Sequence, residues 1–545
     1  MTRSSYDVCV IGSGVAGSLV AYALGKAGVS VVMLEAGRRV EPDLAPQRTQ
    51  LFVEGTNVWR LSHDEADGFL NGGSVSYPLN DLRFKLVGGT TMGWEGYTPR
   101  FLERDFDLHT VRGVGVDWPI SYSEIEPYYV RAEREIGVAG IENNPFASYR
   151  SAPFPLPGFP VGYDERLLLE AGAELGVTFH NIPQAKNTQA YRGRPACTTY
   201  SVCQVCPIGA RYSADVHVRL AEETGHVQLI DNATVVRLET TRGGDRVVAA
   251  VFRRSVDSPE EAVRARVFVV AAHAVESARL LLLSDSTSHP QGLGNHSGLV
   301  GRNFMERRAQ FRRARFSRSL FPYRKGFETI VSQQFHDHPR RDEGSGFNLR
   351  GHAAGPTITD LVQDAARRSG IWGDAFAREL QARIESEYGR EMIIGSAAEP
   401  LPSEENRIEL APERKDRFGN PVPRVVYEPS AFEEVGHARA DVLVQELASS
   451  MGADELGEPE RFFEAHQAGT CRMGEDPDTS VVDPSLRIHG LENTYVVGSA
   501  NFCTLSISNP TLTIAALALR LGDHLLSPRA AVDHSGVSGQ SPGRG

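Results

Sequence analysis

The sequence predicts an α/β chain of two domains: a parallel sheet assembled from three widely separated segments, and an α+β unit inserted between the second and third. Three observations carry this. A glycine-rich turn stands between a short apolar strand and a helix near the N-terminus; buried-strand-then-helix units recur twice far downstream; and the stretch between those two is richer in charge. At 545 residues the chain is too long for one compact core.

The elements follow in order. Residues 6–11 form a short apolar run, followed by Gly12-Ser13-Gly14-Val15-Ala16-Gly17. Residues 18–26 read as a helix with Leu19, Ala23 and Leu24 on one face, and 29–34 as a buried parallel strand closed by Glu35. The second unit is a strand over 267–272 leading into a helix over 276–283. The third is a strand over 494–497 and a helix over 511–525. Residues 306–459 are predicted to be the inserted domain, leaving 1–305 and 460–526 to the discontinuous first domain. The insert holds a hairpin, 407–410 against 422–427 around Phe418-Gly419-Asn420, and an amphipathic helix with Ala431, Val435, Ala438 and Val442 at helical spacing. The Pro/Gly/Ser-rich tail, 527–545, is predicted to be disordered.

Composition excludes some roles. A net charge of −12, from 57 Lys+Arg against 69 Asp+Glu, lacks the basic footprint that nucleic-acid binding needs. No apolar run approaches the roughly 20 residues that span a bilayer, so no membrane insertion is expected. The first strand begins almost at once after Met1, leaving no room for a secretory leader, and a cytoplasmic location is expected unless a partner carries the export signal.

The turn has a division of labour. Gly12 permits the tight bend, Gly14 lets backbone approach a pyrophosphate, and Gly17 allows close packing of the helix. The helix N-terminus offers unpaired N–H groups to phosphates, and Glu35 at the next strand end can accept from a ribose diol. The unit is a Rossmann-like dinucleotide site, without discriminating FAD from NAD.

Two further motifs resemble the glucose–methanol–choline (GMC) oxidoreductase family, nearest its pyranose oxidase and sugar dehydrogenase branch. One runs from Gly88 to Phe101 and contains Gly88-Gly89-Thr90-Thr91-Met92-Gly93-Trp94, then Thr98-Pro99-Arg100-Phe101. The other is His466-Gln467-Ala468-Gly469-Thr470, continuing to Gly498-Ser499 and Ser508-Asn509-Pro510-Thr511. The resemblance implies the GMC fold, with FAD held by Gly88, Gly89, Thr91, Gly93, Trp94, Val236, Ser499, Asn509, Pro510 and Thr511 besides the first turn. It implies that His466 and Asn509 face flavin N5. Some pyranose oxidases attach FAD through a histidine before the Trp; here that position is Gly93, so the FAD is expected to be non-covalent. Gly498-Ser499-Ala500-Asn501 departs from the family pattern, where many relatives carry an acidic residue and a small residue before the Ser.

These residue types suit alcohol oxidation. Neutral imidazole at His466 can take the hydroxyl proton, and Asn509 can hydrogen-bond the same hydroxyl without a titrating charge. His109, His217, His437 and His489 read as structural, and the His336/His338 pair as an exposed loop with nothing to complete a metal site. Cys197, Cys203 and Cys206, with Pro207 after the last, resemble the three-iron segment of membrane-coupled sugar dehydrogenase large subunits; an iron–sulfur cluster and a loop of reduced thiols are both open readings. The expected reaction is oxidation of a sugar or glycoside hydroxyl to the carbonyl. Asn295–Arg302 and Cys471-Arg472 also resemble oxidases acting on the primary alcohol of aminoglycoside intermediates. A redox-silent hydroxynitrile lyase is the alternative from another class. An electron-accepting partner subunit is compatible with all but the last.

Overall fold

The structure is a computed structural model describing residues 5–40, 50, 68–199, 203–322, 326–371 and 373–527. The tail predicted to be disordered therefore lies, from residue 528 on, outside the described residues.

The N-terminal unit folds as its pattern dictates. Strand β1 (Tyr6–Ile11) leads through the glycine turn into helix α1 (Val15–Lys26) and back to strand β2 (Val31–Leu34). Both strands are covered on both faces, with Cys9, Val10, Val31, Val32 and Met33 fully buried. Each such aliphatic side chain stabilises the fold by about 1.5–3 kcal/mol. Further strands are β3 (Val227–Ile230), β4 (Thr234–Thr240), β5 (Val247–Arg253) and β6 (Glu261–Val270), followed by helix α2 (Ala274–Leu283). The sheet order is β3-β2-β1-β6-β5-β4. Strand β1 lies parallel between β2 and β6, and the strand Thr494–Val496 pairs parallel with the other side of β6. Three distant pieces of sequence thus make one parallel sheet, as the pattern predicts. Strand β6 starts earlier than expected, because 261–264 also pair antiparallel with β5.

A second, antiparallel sheet holds β7 (Arg308–Arg315), β8 (Arg350–Ala354) and β9 (Glu391–Ala397), in the order β8-β9-β7. Strand β10 (Arg407–Lys415) and strand β11 (Pro421–Val426) form the expected hairpin, which lies against α2 rather than in this sheet. Helix α3 (Ala431–Ser450) packs on the second sheet, and β12 (Glu460–Phe463) adds to the free edge of β7.

Helix α3 is correct as an element but not in its buried face. Val442 is 55% exposed, whereas Glu433, Gly436, His437, Ala440, Val444 and Leu447 are buried. Glu433 closes a capping box with Ser430 and stands 3.5 Å from Arg308. Hydropathy cannot anticipate a carboxylate that turns inward to meet an arginine. After β12 the chain reaches strand β13 (Thr494–Val496) and helix α4 (Thr511–Leu526). Helix α4 lies alongside α1, where Gly522 meets Ala23 closely. Among the described residues no helix is long and apolar enough to cross a membrane.

Candidate active site

A cavity of about 710 Å³ is lined by the ends of both sheets. A first group of lining residues, Gly12, Ser13, Gly14, Glu35 and Ala36, comes from the β1–α1 turn and the end of β2. Gly12 has φ +102°, and a Cβ on Gly17 would sit 2.0 Å from Gly12 O, so these two glycines are required by the protein itself. Gly14 differs: a Cβ there meets nothing within 4 Å. It is the glycine whose missing side chain leaves space in the cavity rather than in the core.

Glu35 organises this turn. One carboxylate oxygen accepts from Ser13 N at 2.9 Å and Ser13 Oγ at 2.7 Å, and the other from Gly37 N at 2.8 Å. Burial pushes its carboxyl up, against these hydrogen bonds. Ser13 Oγ also accepts from Gly88 N at 3.2 Å, and a Cβ on Gly89 would lie 3.0 Å from Gly14 Cα. The two glycine motifs predicted to share one ligand are therefore in contact.

The second lining group is Gly89, Thr91, Gly93 and Trp94. Thr91 Oγ1 donates to Gly88 O at 2.6 Å, and Trp94 Nε1 donates to Tyr212 O at 2.7 Å, which fix the loop. Arg100 is structural, held in a buried ion-pair cluster with Glu126 and Glu133.

The third group is Arg350, Phe462, Phe463, Glu464, His466, Gly498, Ser499, Asn509, Pro510 and Thr511. Strand β12 delivers His466, and Asn509 stands just before helix α4, whose N-terminus has neither a side-chain cap nor an acid in its first turn. Asn509 Nδ2 donates to His466 Nε2 at 3.3 Å. Burial, then Arg307, and lastly Arg350 push the imidazole down to about 3, with Glu464 opposing, so His466 is neutral at ordinary pH. Its backbone N–H donates to Glu306 Oε1 at 2.8 Å. Glu306 Oε2 accepts from Tyr77 OH, which accepts from Gln467 Nε2, both at 2.5 Å. Burial pushes Glu306 up to about 8.

Of the residues singled out in the sequence, Gly17, Gly88 and Val236 lie off the cavity. Gly17 packs on Gly12, Gly88 supports the loop, and Val236 turns into a small cluster with Val251 and Phe418 while its neighbour Val235 lines the cavity. Strand alternation decides which of two adjacent valines faces inward. Sequence reasoning missed Ser13, Glu464, Arg350 and Phe462; only Ser13 carried a signal, as a hydroxyl inside the turn.

Of the two open readings of the cysteine segment, nothing supports the iron–sulfur cluster: among the described residues no three His, Cys, Asp or Glu side chains converge to hold a metal. Cys197 Sγ accepts from Thr199 N and Cys206 Sγ from Arg211 N, while burial pushes Cys203 up to about 11, keeping its thiol protonated. Arg211 ties this segment to the flavin-type loop by donating to the Cys203, Thr91 and Met92 carbonyls. One expectation needs correction: His336 is not on an exposed loop. It is fully buried, with Nε2 2.6 Å from Asp105 Oδ1, in a cluster that includes Arg341 and Glu399.

Comparison with known proteins follows the same lines. Family models described as GMC oxidoreductase match residues 159–339 and 402–518, and an NAD(P)-binding Rossmann-like domain model matches 10–46. The fructose dehydrogenase large subunit of Gluconobacter japonicus is 32% identical, covering 96% of this chain and 98% of that protein. The chain belongs to the GMC oxidoreductase family. Within it, paromamine 6'-oxidase of Streptomyces fradiae is also 32% identical, over 94% of this chain and 90% of the relative. Pyridoxine 4-oxidase from Mesorbium loti shares the fold at TM-score 0.64 and 17% identity, covering 95% and 99% of the two chains. A formate oxidase does so at TM-score 0.67 and 14% identity, covering 96% and 98%. As a GMC oxidoreductase the chain is an FAD-dependent alcohol or sugar oxidoreductase. The residues present fit FAD: space beside Gly14, a ribose acceptor at Glu35, and two helix N-termini without acidic first turns opening on one cavity.

Proposed function

We propose that the protein oxidises a hydroxyl group of a sugar or glycoside to the carbonyl, with His466 as the base and Asn509 as its hydrogen-bonding partner. The observation that carries this is the His466–Asn509 contact on the wall of the cavity. FAD, bound without a covalent link, supplies the acceptor for the hydride leaving the carbinol carbon.

The chain's own groups do the rest. Neutral His466 presents Nε2 to receive the hydroxyl proton, and the Asn509 amide holds the same oxygen. Phe462 is 44% exposed, lines the cavity, and stacks on Phe311 with ring centroids 5.2 Å apart. Such a platform suits the apolar face of a pyranose, while Arg350, Glu95 and Gln204, which line the same cavity, suit its hydroxyls.

Oxidation of the primary alcohol of an aminoglycoside-type substrate is the second reading, supported by the Streptomyces relative. The name of the Gluconobacter relative, a large subunit, supports a partner subunit, for which we propose an electron-accepting role. An anaerobic screen of sugars, glycosides and aminoglycosides for flavin bleaching tests these readings. Bleaching by sugars is expected; bleaching by aminoglycosides alone favours the second reading, and bleaching by no alcohol contradicts both and returns the lyase alternative.

A further inference from the structure

Resting on the reading of His466 as base, we propose that Glu464 is the positioning residue that makes this imidazole directional. Clamped by two arginines, its carboxylate keeps the ring proton on Nδ1 and leaves Nε2 unprotonated.

The tautomer follows from the hydrogen bonds. Asn509 Nδ2 is a donor, so Nε2 of His466 accepts and the neutral ring must carry its proton on Nδ1. Nδ1 is buried and makes no hydrogen bond among the described residues, and Glu464 Oε2 stands 3.8 Å from it. Ala465, between the two residues, has φ +61°. A non-glycine residue in this left-handed region is strained, and the surrounding structure sustains that strain.

Glu464 is itself immobilised. Arg307 Nε donates to Oε2 at 2.6 Å, and Arg350 donates to Oε1. Arg307 also donates through Nη1 to Ile507 O, two residues before Asn509. One buried guanidinium therefore holds the segment of each member of the catalytic pair. Arg350 is held in turn by Glu328, 3.5 Å away.

The charges explain why a carboxylate is needed. When substrate O–H breaks and Nε2–H forms, the ring becomes an imidazolium while the Nδ1 proton stays in place. That cation faces Arg307 and Arg350, both unfavourable, and Glu464 is the anion that offsets them; Glu306 meets the His466 backbone rather than its ring. A glutamine at 464 would keep the shape and lose the offset.

The test combines a spectrum with kinetics on the FAD-loaded enzyme. In ¹⁵N-histidine NMR, with the His466 signals assigned by their loss in His466→Ala, the wild type should show Nδ1 protonated and Nε2 bare. A ring protonated on Nε2 overturns the inference, and this measurement needs no Glu464 variant to fold. Glu464→Gln should mix the tautomers and slow flavin reduction at saturating substrate by about tenfold or more, with KM changed by less than about threefold. Glu464→Asp should recover part of that rate. A Glu464→Gln enzyme with wild-type tautomer and rate, or with its loss confined to KM, also overturns the inference. Should His466→Ala itself reduce at the wild-type rate, the base assignment fails instead, which separates the two claims.

Discussion

Asn509 and His466 lie 43 residues apart in sequence, yet the Asn509 amide donates to Nε2 of the His466 ring at 3.3 Å. Asn509 precedes helix α4, which packs on α1 of the parallel sheet, and His466 follows β12 at the edge of the second sheet, so the pair joins the two sheets of the fold. Replacing Asn509 by Ala should leave FAD bound and slow flavin reduction by about 10²-fold. Anaerobic stopped-flow absorbance reads this directly, and an unchanged rate would remove Asn509 from the reaction.

Gly14 and Gly17 should fail differently when replaced by Ala. At Gly17 the new methyl would overlap Gly12 O, so Gly17→Ala should lower the thermal midpoint sharply and yield little folded protein. At Gly14 it would enter open space, with the backbone at φ −65°, comfortable for any residue. Gly14→Ala should therefore fold normally but bind FAD more weakly. Thermal melts and flavin titration on both variants separate the outcomes; equal loss of stability in the two would contradict this division.

With Gly93 where a nucleophile would be needed, FAD should leave on denaturation. Acid precipitation should put the yellow chromophore in the supernatant, and colour retained in the pellet after washing would contradict this.

Several buried histidines are held neutral. Burial pushes His273, His180 and His437 down to about 4, and His466 to about 3, from an ordinary value of 6.5. The unfolded chain then binds more protons than the folded one below pH 6.5. Their contribution is fully present above that pH and is lost as pH falls toward 4, by up to about 1.4 kcal/mol per pH unit for each residue. Among the described residues neither ring nitrogen of His437 has a hydrogen-bond partner, which makes it the cleanest probe. His437→Leu should flatten the fall in thermal midpoint between pH 6.5 and 4 without affecting turnover; an unchanged slope would contradict the assignment.

What the sequence disclosed was local or tied to a motif. Periodicity placed β1, α1 and the hairpin, because two-sided burial and cross-strand pairing depend on adjacent residues. The His466 and Asn509 motifs were likewise visible as strings. Hidden were features set by long-range packing: the inward Glu433 of α3, the choice of Val235 over Val236, and burial of His336 against Asp105, 231 residues earlier. Glu464 escaped notice because the arginines that hold it beside the His466 ring, Arg307 and Arg350, are more than a hundred residues away in sequence.

The proposed oxidation turns on His466 as the base. In anaerobic stopped flow, FAD-loaded His466→Ala mixed with a substrate from the screen should keep its flavin and melting behaviour while its reduction slows by about 10²-fold or more. Flavin reduction as fast as in the wild type would contradict it.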